Sequence, residues 1–146
     1  MTSKTSHLIQ SFFNTLVHDF KSYQRLEVLL KQQKSLYLSF DADKLEQNLA
    51  LQQPLLEQLH RHAQQRSQIM VNLQLSADKT GTEQFFSALP SYAAKKVRHQ
   101  WQQLENMVKR CQALNHENGQ TSASFHELMA SLTSAEQHTY QEQLSG

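Results

Sequence analysis

Glycine, proline and cysteine are scarce in this chain: its 146 residues include three Gly, two Pro and one Cys. So few chain-breaking residues argue against an all-β sandwich or barrel, which needs a turn about every ten residues. The single cysteine excludes an intramolecular disulfide framework and any zinc or iron–sulfur site built from several cysteines. The sequence also has no GxGxxG or GxxxxGK[ST] motif, which excludes the usual phosphate-binding loops.

Long apolar runs and a strong charge bias are missing as well. No run of about 18 apolar residues occurs, and the N-terminus lacks the apolar core of a signal peptide, so we expect a cytoplasmic protein. The formal net charge is +1, and no segment is basic enough to predict a nucleic-acid interface. Residues 118–146 contain three acidic residues and neither lysine nor arginine, so the C-terminal part is mildly acidic.

Leucine and glutamine are abundant, with 21 residues each, and the apolar residues recur at helical spacing. The first stripe, over residues 7–39, predicts a helix of about 33 residues and roughly 50 Å. Asp41 and Asp43 are both suited to cap a second helix, and Asp43 has Glu46 three residues later, as in a capping box. The second stripe extends from Leu45 to Leu73. Pro54 predicts that this helix either kinks near residues 50–54 or restarts there.

The segment 76–81 is typical of a loop, and residues 82–89 are consistent with a short helix. Ser91 then suits the cap of a third long helix. This helix has the most regular register, which places Val97, Trp101, Leu104, Val108 and Cys111 on one seam. Asn115 and Asn118 continue the seam, and Gly119 follows as a C-cap. We expect Trp101 and Cys111 to be buried in the core.

These helices predict an all-α fold, an elongated antiparallel bundle of three long helices with a short, partly flexible C-terminal helical segment. The bundle domain covers residues 1–119, and residues 120–146 form the C-terminal amphipathic segment and tail. In that segment Phe125, Leu128, Met129 and Leu132 lie on one helical face. Such a short helix is not stable alone, so this face packs either on the bundle or on an amphipathic helix of a partner.

Catalytic and metal-binding signals are weak. The eight histidines lack the spacing of a helical ligand pair, and we interpret them as surface or rim residues. The first turns of the third long helix contain Lys95, Lys96 and Arg98, where positive charge opposes the helix dipole. These residues either bind a partner or form a solvent-exposed face. His18-Asp19-Phe20-Lys21-Ser22 resembles the HxxKG motif of histidine phosphotransfer domains, although Ser22 replaces the glycine. We expect a non-enzymatic protein without a metal or cofactor.

Three parts of the sequence together are similar to one known family. Trp101, Leu104, Cys111, Asn115, Asn118 and Gly119, read as WxxL…CxxxNxxNG, resemble the C-terminal signature of the FlgN family of flagellar type III export chaperones. Leu26-Glu27-Val28-Leu29-Leu30 is similar to the family's first-helix motif, and the spacing from Leu45 to Ile69 is similar to its second helix. Two features depart from the pattern: Gln53 stands where the family usually has a lysine, and Pro54 follows it.

The resemblance implies a cytosolic chaperone that binds the C-terminal region of the hook-associated proteins of the hook–filament junction. It would prevent their premature polymerisation and deliver them to the flagellar export apparatus. It also implies that Tyr140, the tail tyrosine, engages that apparatus. We predict that the partner-binding residues are Asn115, Asn118, Gly119, Phe125, Leu128, Met129, Leu132 and Tyr140, and a homo-oligomer is compatible with this sequence.

Two other hypotheses remain open from the sequence. The first is a phosphotransfer relay that uses His18. The second is a structural helical adaptor or a coiled-coil homodimer, which requires a continuous heptad surface after intramolecular packing.

Overall fold

The computed structural model describes residues 3–119 and residue 128, and it contains four helices within that part of the chain. The helices are α1 (Ser3–Leu38), α2 (Ala42–Asn72), α3 (Lys79–Ser87) and α4 (Ser91–Asn118). The all-α prediction is confirmed. Within the described part of the chain, none of the helices combines the length and the apolar character needed to cross a membrane.

Helix α1 is the central element, because it packs along both α2 and α4. The contacts with α2 run antiparallel: Arg66 meets Thr15, whereas Asn48 meets Leu29. The contacts with α4 run parallel, from Cys111 at Tyr23 to Asn118 at Leu30. The three long helices therefore form an up-down-up bundle, and the short α3 packs against α4.

Several helix boundaries differ from the sequence prediction. Helix α1 begins at Ser3 rather than at residue 7. Helix α2 passes through Pro54 without restarting. Pro54 is exposed and removes one backbone donor from α2, while the buried Leu56 and Leu59 on the following turns hold the helix on the core. Asp41 is the N-cap of α2, and its side chain accepts a hydrogen bond from the Lys44 N–H.

The predicted loop 76–81 is shorter than expected, because α3 begins at Lys79 with Asp78 as its N-cap. The Asp78 carboxylate accepts bonds from the Gly81 N–H at 2.8 Å and the Ser76 hydroxyl at 2.7 Å, and these bonds lower its pKa. A Cβ at position 81 would lie 1.7 Å from the Ser76 carbonyl oxygen, so this turn requires glycine. At α4, Pro90 and not Ser91 occupies the N-cap position, and no side chain caps the helix.

An aromatic cluster joins α1, α3 and α4 at the end of the bundle that contains the N-termini of α1 and α4. The Phe12 ring lies 5.0 Å from the Phe85 ring and 6.3 Å from the Phe86 ring, centroid to centroid. It also stacks on Trp101 at 5.9 Å. Trp101, which the sequence predicts to be buried in the core, is only partly buried and packs against the core. The cluster explains why the short α3 is held in place.

A buried charge cluster lies on the seam between α1 and α2. The Asp19 side chain is fully buried, and its carboxylate accepts a bond from Arg66 Nη1 at 2.6 Å. The second carboxylate oxygen lies 2.5 Å from His62 Nδ1. Arg66 also donates to the Thr15 hydroxyl at 3.1 Å, and its guanidinium lies 5.9 Å from the centre of the Trp101 ring. One cluster thus connects all three long helices.

A layer of buried amides fixes the same α1–α2 pairing nearer the hairpin. Asn48 Nδ2 donates to the Leu29 carbonyl at 2.9 Å. Gln52 Nε2 donates to the side-chain oxygens of Gln33 and Asn48, both at 2.8 Å. Buried amides must keep their partners, since an unpaired one costs the desolvation energy of its polar group. A one-turn slip of α2 along α1 would break this layer and the charge cluster together.

The first prediction concerns the charge cluster. Replacing Asp19 by Asn would leave the Arg66 guanidinium, which is 7% exposed, without its counter-charge. We expect a loss of about 3–5 kcal/mol in the free energy of unfolding, as for other broken buried pairs. Urea denaturation followed by circular dichroism measures it. As a control, Glu117→Gln breaks the exposed pair with Lys34 and should cost less than about 1 kcal/mol. Equal effects of the two substitutions would contradict a special role for the buried cluster.

The second prediction concerns Cys111, which is completely buried, with its thiol 3.7 Å from the Tyr23 carbonyl oxygen. Burial, and then the Glu27 carboxylate, raises the pKa of the Cys111 thiol from 9.0 to about 12. Since the thiolate is the reactive form, we expect no modification by an aromatic disulfide reagent at pH 8 until urea unfolds the chain. Rapid labelling of the folded protein would contradict the predicted burial.

The raised pKa of Cys111 also makes the free energy of unfolding depend on pH. Above pH 9 the unfolded chain loses the thiol proton whereas the folded chain keeps it, so the free energy of unfolding falls as pH rises toward 12.

Candidate partner-binding surfaces

The residues predicted at the end of the third long helix attach α4 to α1. Asn115 is 1% exposed, and Asn118 Nδ2 donates to the Leu30 carbonyl at 2.9 Å. Gly119 is the C-cap with a left-handed φ of 69°, as predicted.

Only one of the tail residues predicted to bind a partner lies in the described part of the chain. Leu128 is helical and 3% exposed, and it belongs to the core cluster. Phe125, Met129, Leu132 and Tyr140 lie outside the described residues. The burial of Leu128 favours packing of this side chain on the bundle of its own chain, so a partner that uses Leu128 must displace it.

The residues behind the phosphotransfer hypothesis are placed on the surface of α1. His18 and Lys21 are both exposed, and the His18 ring packs edge-to-face on the His62 ring at 5.6 Å. The intervening Asp19 points inward to the charge cluster. Within the described residues, no three His, Cys, Asp or Glu side chains form a group that could hold a metal ion.

A surface missed by the sequence analysis lies at the tip of the α1–α2 hairpin. Phe40 is 93% exposed and Leu38 is 74% exposed. Beside them, the two helices form a groove of about 480 Å³, here called the hairpin groove. It is lined by Lys31, Gln32, Ser35 and Leu36 of α1 and by Lys44, Gln47, Asn48 and Leu51 of α2.

The backbone at the hairpin tip is strained at Phe40. Its φ is +55°, in the left-handed region that glycine adopts most easily. The Phe40 N–H bonds to the Tyr37 carbonyl and the Asp41 N–H to the Leu36 carbonyl, which is the Schellman pattern of a helix C-terminus. The same pattern ends α2, where Gln74 has a φ of +62° and Leu75 bonds to Met70. Phenylalanine and glutamine therefore occupy two left-handed positions that favour glycine.

We expect Phe40→Gly and Gln74→Gly each to raise the free energy of unfolding by about 0.5–1 kcal/mol, because glycine removes the left-handed strain but adds chain entropy in the unfolded state. Thermal unfolding measures the change. Gly119→Ala is the converse control. No atom lies within 4 Å of the added Cβ, so we expect backbone strain alone to lower the free energy of unfolding of this variant by about 1 kcal/mol. A destabilised Phe40→Gly variant would show that the Phe40 ring contributes to folding.

The exposed face of α1 does not provide the continuous seam that a coiled-coil homodimer needs. Val17 and Val28 are about half exposed, but the exposed Lys21 and Gln24 lie between them. A dimer seam requires apolar residues at every a and d position. This arrangement favours the other hypotheses over a coiled-coil dimer along α1.

Comparison with known proteins identifies the family. The family described as FlgN protein matches residues 1–143. No curated protein gives a significant match. The chain is similar to a solved crystal structure of a flagella synthesis protein FlgN from Pseudomonas aeruginosa, with 22% identity and a TM-score of 0.68, covering 82% of this chain and 91% of that one. At this identity the structural likeness shows the shared fold, while the sequence match spans nearly the whole chain. The chain therefore belongs to the FlgN family of flagellar export chaperones.

Proposed function

We propose that this protein is a cytosolic chaperone for the hook-associated proteins of the flagellar hook–filament junction. It would bind their C-terminal regions, keep them from polymerising and bring them to the flagellar export apparatus. The observation that carries the proposal is the family match over residues 1–143. A bundle that leaves apolar helical surface exposed supports it, because the client segments are amphipathic helices without a partner before assembly.

We further propose that the C-terminal segment contributes to client binding through Phe125, Leu128, Met129 and Leu132, together with the α4 end at Asn115, Asn118 and Gly119. Leu128 is buried in the free chain, so a client that uses this face must compete with the bundle for it. Competition lowers the net affinity, because the free chain already satisfies part of the surface. A moderate affinity suits a chaperone that has to release its client at the export apparatus. Tyr140 is proposed to engage that apparatus.

The first test is co-purification of the full chain with a fragment from the C-terminal region of a hook-associated protein, read by light scattering on a sizing column. The proposal expects a complex of defined mass. If the intact fragment and the chain elute separately at concentrations well above micromolar, the chaperone proposal is wrong.

The tail is tested by a double substitution, Met129→Asp with Leu132→Asp. Leu128 stays unchanged because a charge at its buried position would destabilise the bundle. We expect client affinity to fall by about tenfold or more while the thermal unfolding midpoint stays nearly constant. The control is Ala130→Asp with Ser134→Asp, which adds the same charge on the opposite face by helical spacing. Equal losses in the two variants would indicate a general effect of charge and would contradict the proposed face.

A further inference from the structure

We propose that the hairpin groove binds an amphipathic helix of the client, and that this helix carries carboxylate side chains beside its apolar stripe. This inference rests on the proposed function and extends the client surface from the C-terminal segment onto α1 and α2. Four groove residues and the hairpin tip carry the argument: Lys31 and Leu36 of α1, Lys44 and Leu51 of α2, and Phe40.

The groove lies on the side of the hairpin that α4 leaves open. On α1, Glu27 and Lys34 face α4, where they pair with Arg110 and Glu117. Gln32 and Leu36 lie on a different face of α1 and line the groove instead. Two antiparallel helices offer a flank on each side, and among the described residues only one flank is occupied by a long helix. The other flank has the shape into which a further helix packs.

The charges of the groove indicate what its occupant must carry. Lys31 and Lys44 stand on opposite walls, and no carboxylate lines the groove. The Lys44 ammonium lies 3.8 Å from Asp41, a long and exposed contact that leaves it available to a stronger partner. The same groove contains two leucines: Leu36 is partly buried and Leu51 is 49% exposed. A groove that combines two leucines with two ammonium groups is complementary to an apolar stripe flanked by aspartate or glutamate.

Phe40 lies in the segment that connects α1 and α2, four residues after the groove residue Leu36, and it is the aromatic anchor of the proposed client surface. The bond from the Asp41 N–H to the Leu36 carbonyl at 3.3 Å holds the tip against the turn that lines the groove. The Phe40 ring is 93% exposed, so it gives the folded chain little packing energy while its backbone carries left-handed strain. Exposed aromatic rings that become buried on association contribute strongly to binding. A client helix that covers the ring would make use of a residue that the bundle itself does not need.

The groove and the end of α4 are at the same end of the bundle. The Lys34–Glu117 pair at 3.0 Å and the Asn118–Leu30 bond place the end of α4 beside residues 30–34 of α1. Lys31, on the next face of that same turn, lines the groove. A single client segment is therefore able to contact both the end of α4 and the groove.

The charge test compares two reversals of equal size by isothermal titration of the full chain with the same hook-associated protein fragment. Lys31→Glu with Lys44→Glu should weaken binding by about tenfold, because two attractive pairs become repulsive. Lys95→Glu with Lys96→Glu, an exposed pair on α4 at the opposite end of the bundle, should change the affinity by less than about twofold. Equal losses would show a non-specific charge effect and overturn the groove proposal.

The anchor test uses the two strained caps as a matched pair. Phe40→Gly and Gln74→Gly relieve the same kind of backbone strain at opposite ends of the hairpin. We expect Phe40→Gly to weaken client binding by about tenfold, as for the loss of an aromatic anchor, and Gln74→Gly to leave it within about twofold. Unchanged binding by Phe40→Gly would remove Phe40 from the client surface and overturn the anchor.

The remaining outcomes identify other occupants or a wrong function. Tighter client binding by the Lys31/Lys44 variant would indicate that the acidic residues of the chain's own C-terminus occupy the groove. If the Lys31/Lys44 variant without client differs in mass from the wild-type chain in light scattering, a second copy of the chain occupies the groove. Each of these results overturns the client assignment. If the wild-type chain does not bind the fragment at all, the proposed function fails; if it binds and all groove variants bind equally well, only the groove proposal fails.

Discussion

The buried contact between Asp19 and Arg66 is the interaction on which the arrangement of the helices depends most. An isolated charge in this core would be strongly unfavourable, so each of the two side chains requires the other at one particular register. The Asp19 carboxylate contacts both Arg66 and His62. Burial in the same core raises the pKa of Tyr23, and the Asp19 carboxylate adds to this effect. Leucines alone would tolerate a shift of one turn between α1 and α2, whereas this cluster does not.

A fixed register at the centre determines what is presented at the hairpin end. Helix α1 extends well beyond the charge cluster to Leu38, and α2 returns along the same face. The amide layer of Gln33, Asn48 and Gln52 continues the pairing almost to the tip. The tip is therefore the end of two paired long helices, and its connecting segment is only three residues, 39–41. The cap hydrogen bonds hold the backbone of Phe40 in place, which lowers the backbone entropy lost when a partner covers the ring.

The helices were predictable from the sequence because the apolar periodicity persists over many turns. The Asp19–Arg66 contact was also within reach: Asp19 falls between Leu16 and Tyr23 on the first stripe, and Arg66 lies on the second, so opposite charges occupy two facing apolar seams. The sequence left open whether α2 continues through Pro54 or restarts there, since the outcome depends on packing on both sides of the proline. The caps at Phe40 and Gln74 were missed because glycine is the usual signal for a left-handed helix end, and only Gly119 conforms to it among the described residues.

The hairpin surface had no sequence signature, because a groove is a property of two helices and not of one. Each helix separately contributes an ordinary mixture of leucine, lysine and uncharged polar residues. What distinguishes them is that α4 packs elsewhere, so Leu36 and Leu51 remain accessible between two lysines. Uncharged glutamines around such a groove lower the cost of desolvation compared with charged residues, whereas the lysines attract a client without requiring close packing. For the proposed client, this combination favours rapid, salt-sensitive and reversible association. A chaperone that must hand over its client gains more from such a surface than from a deep apolar cleft, in which release would be slow.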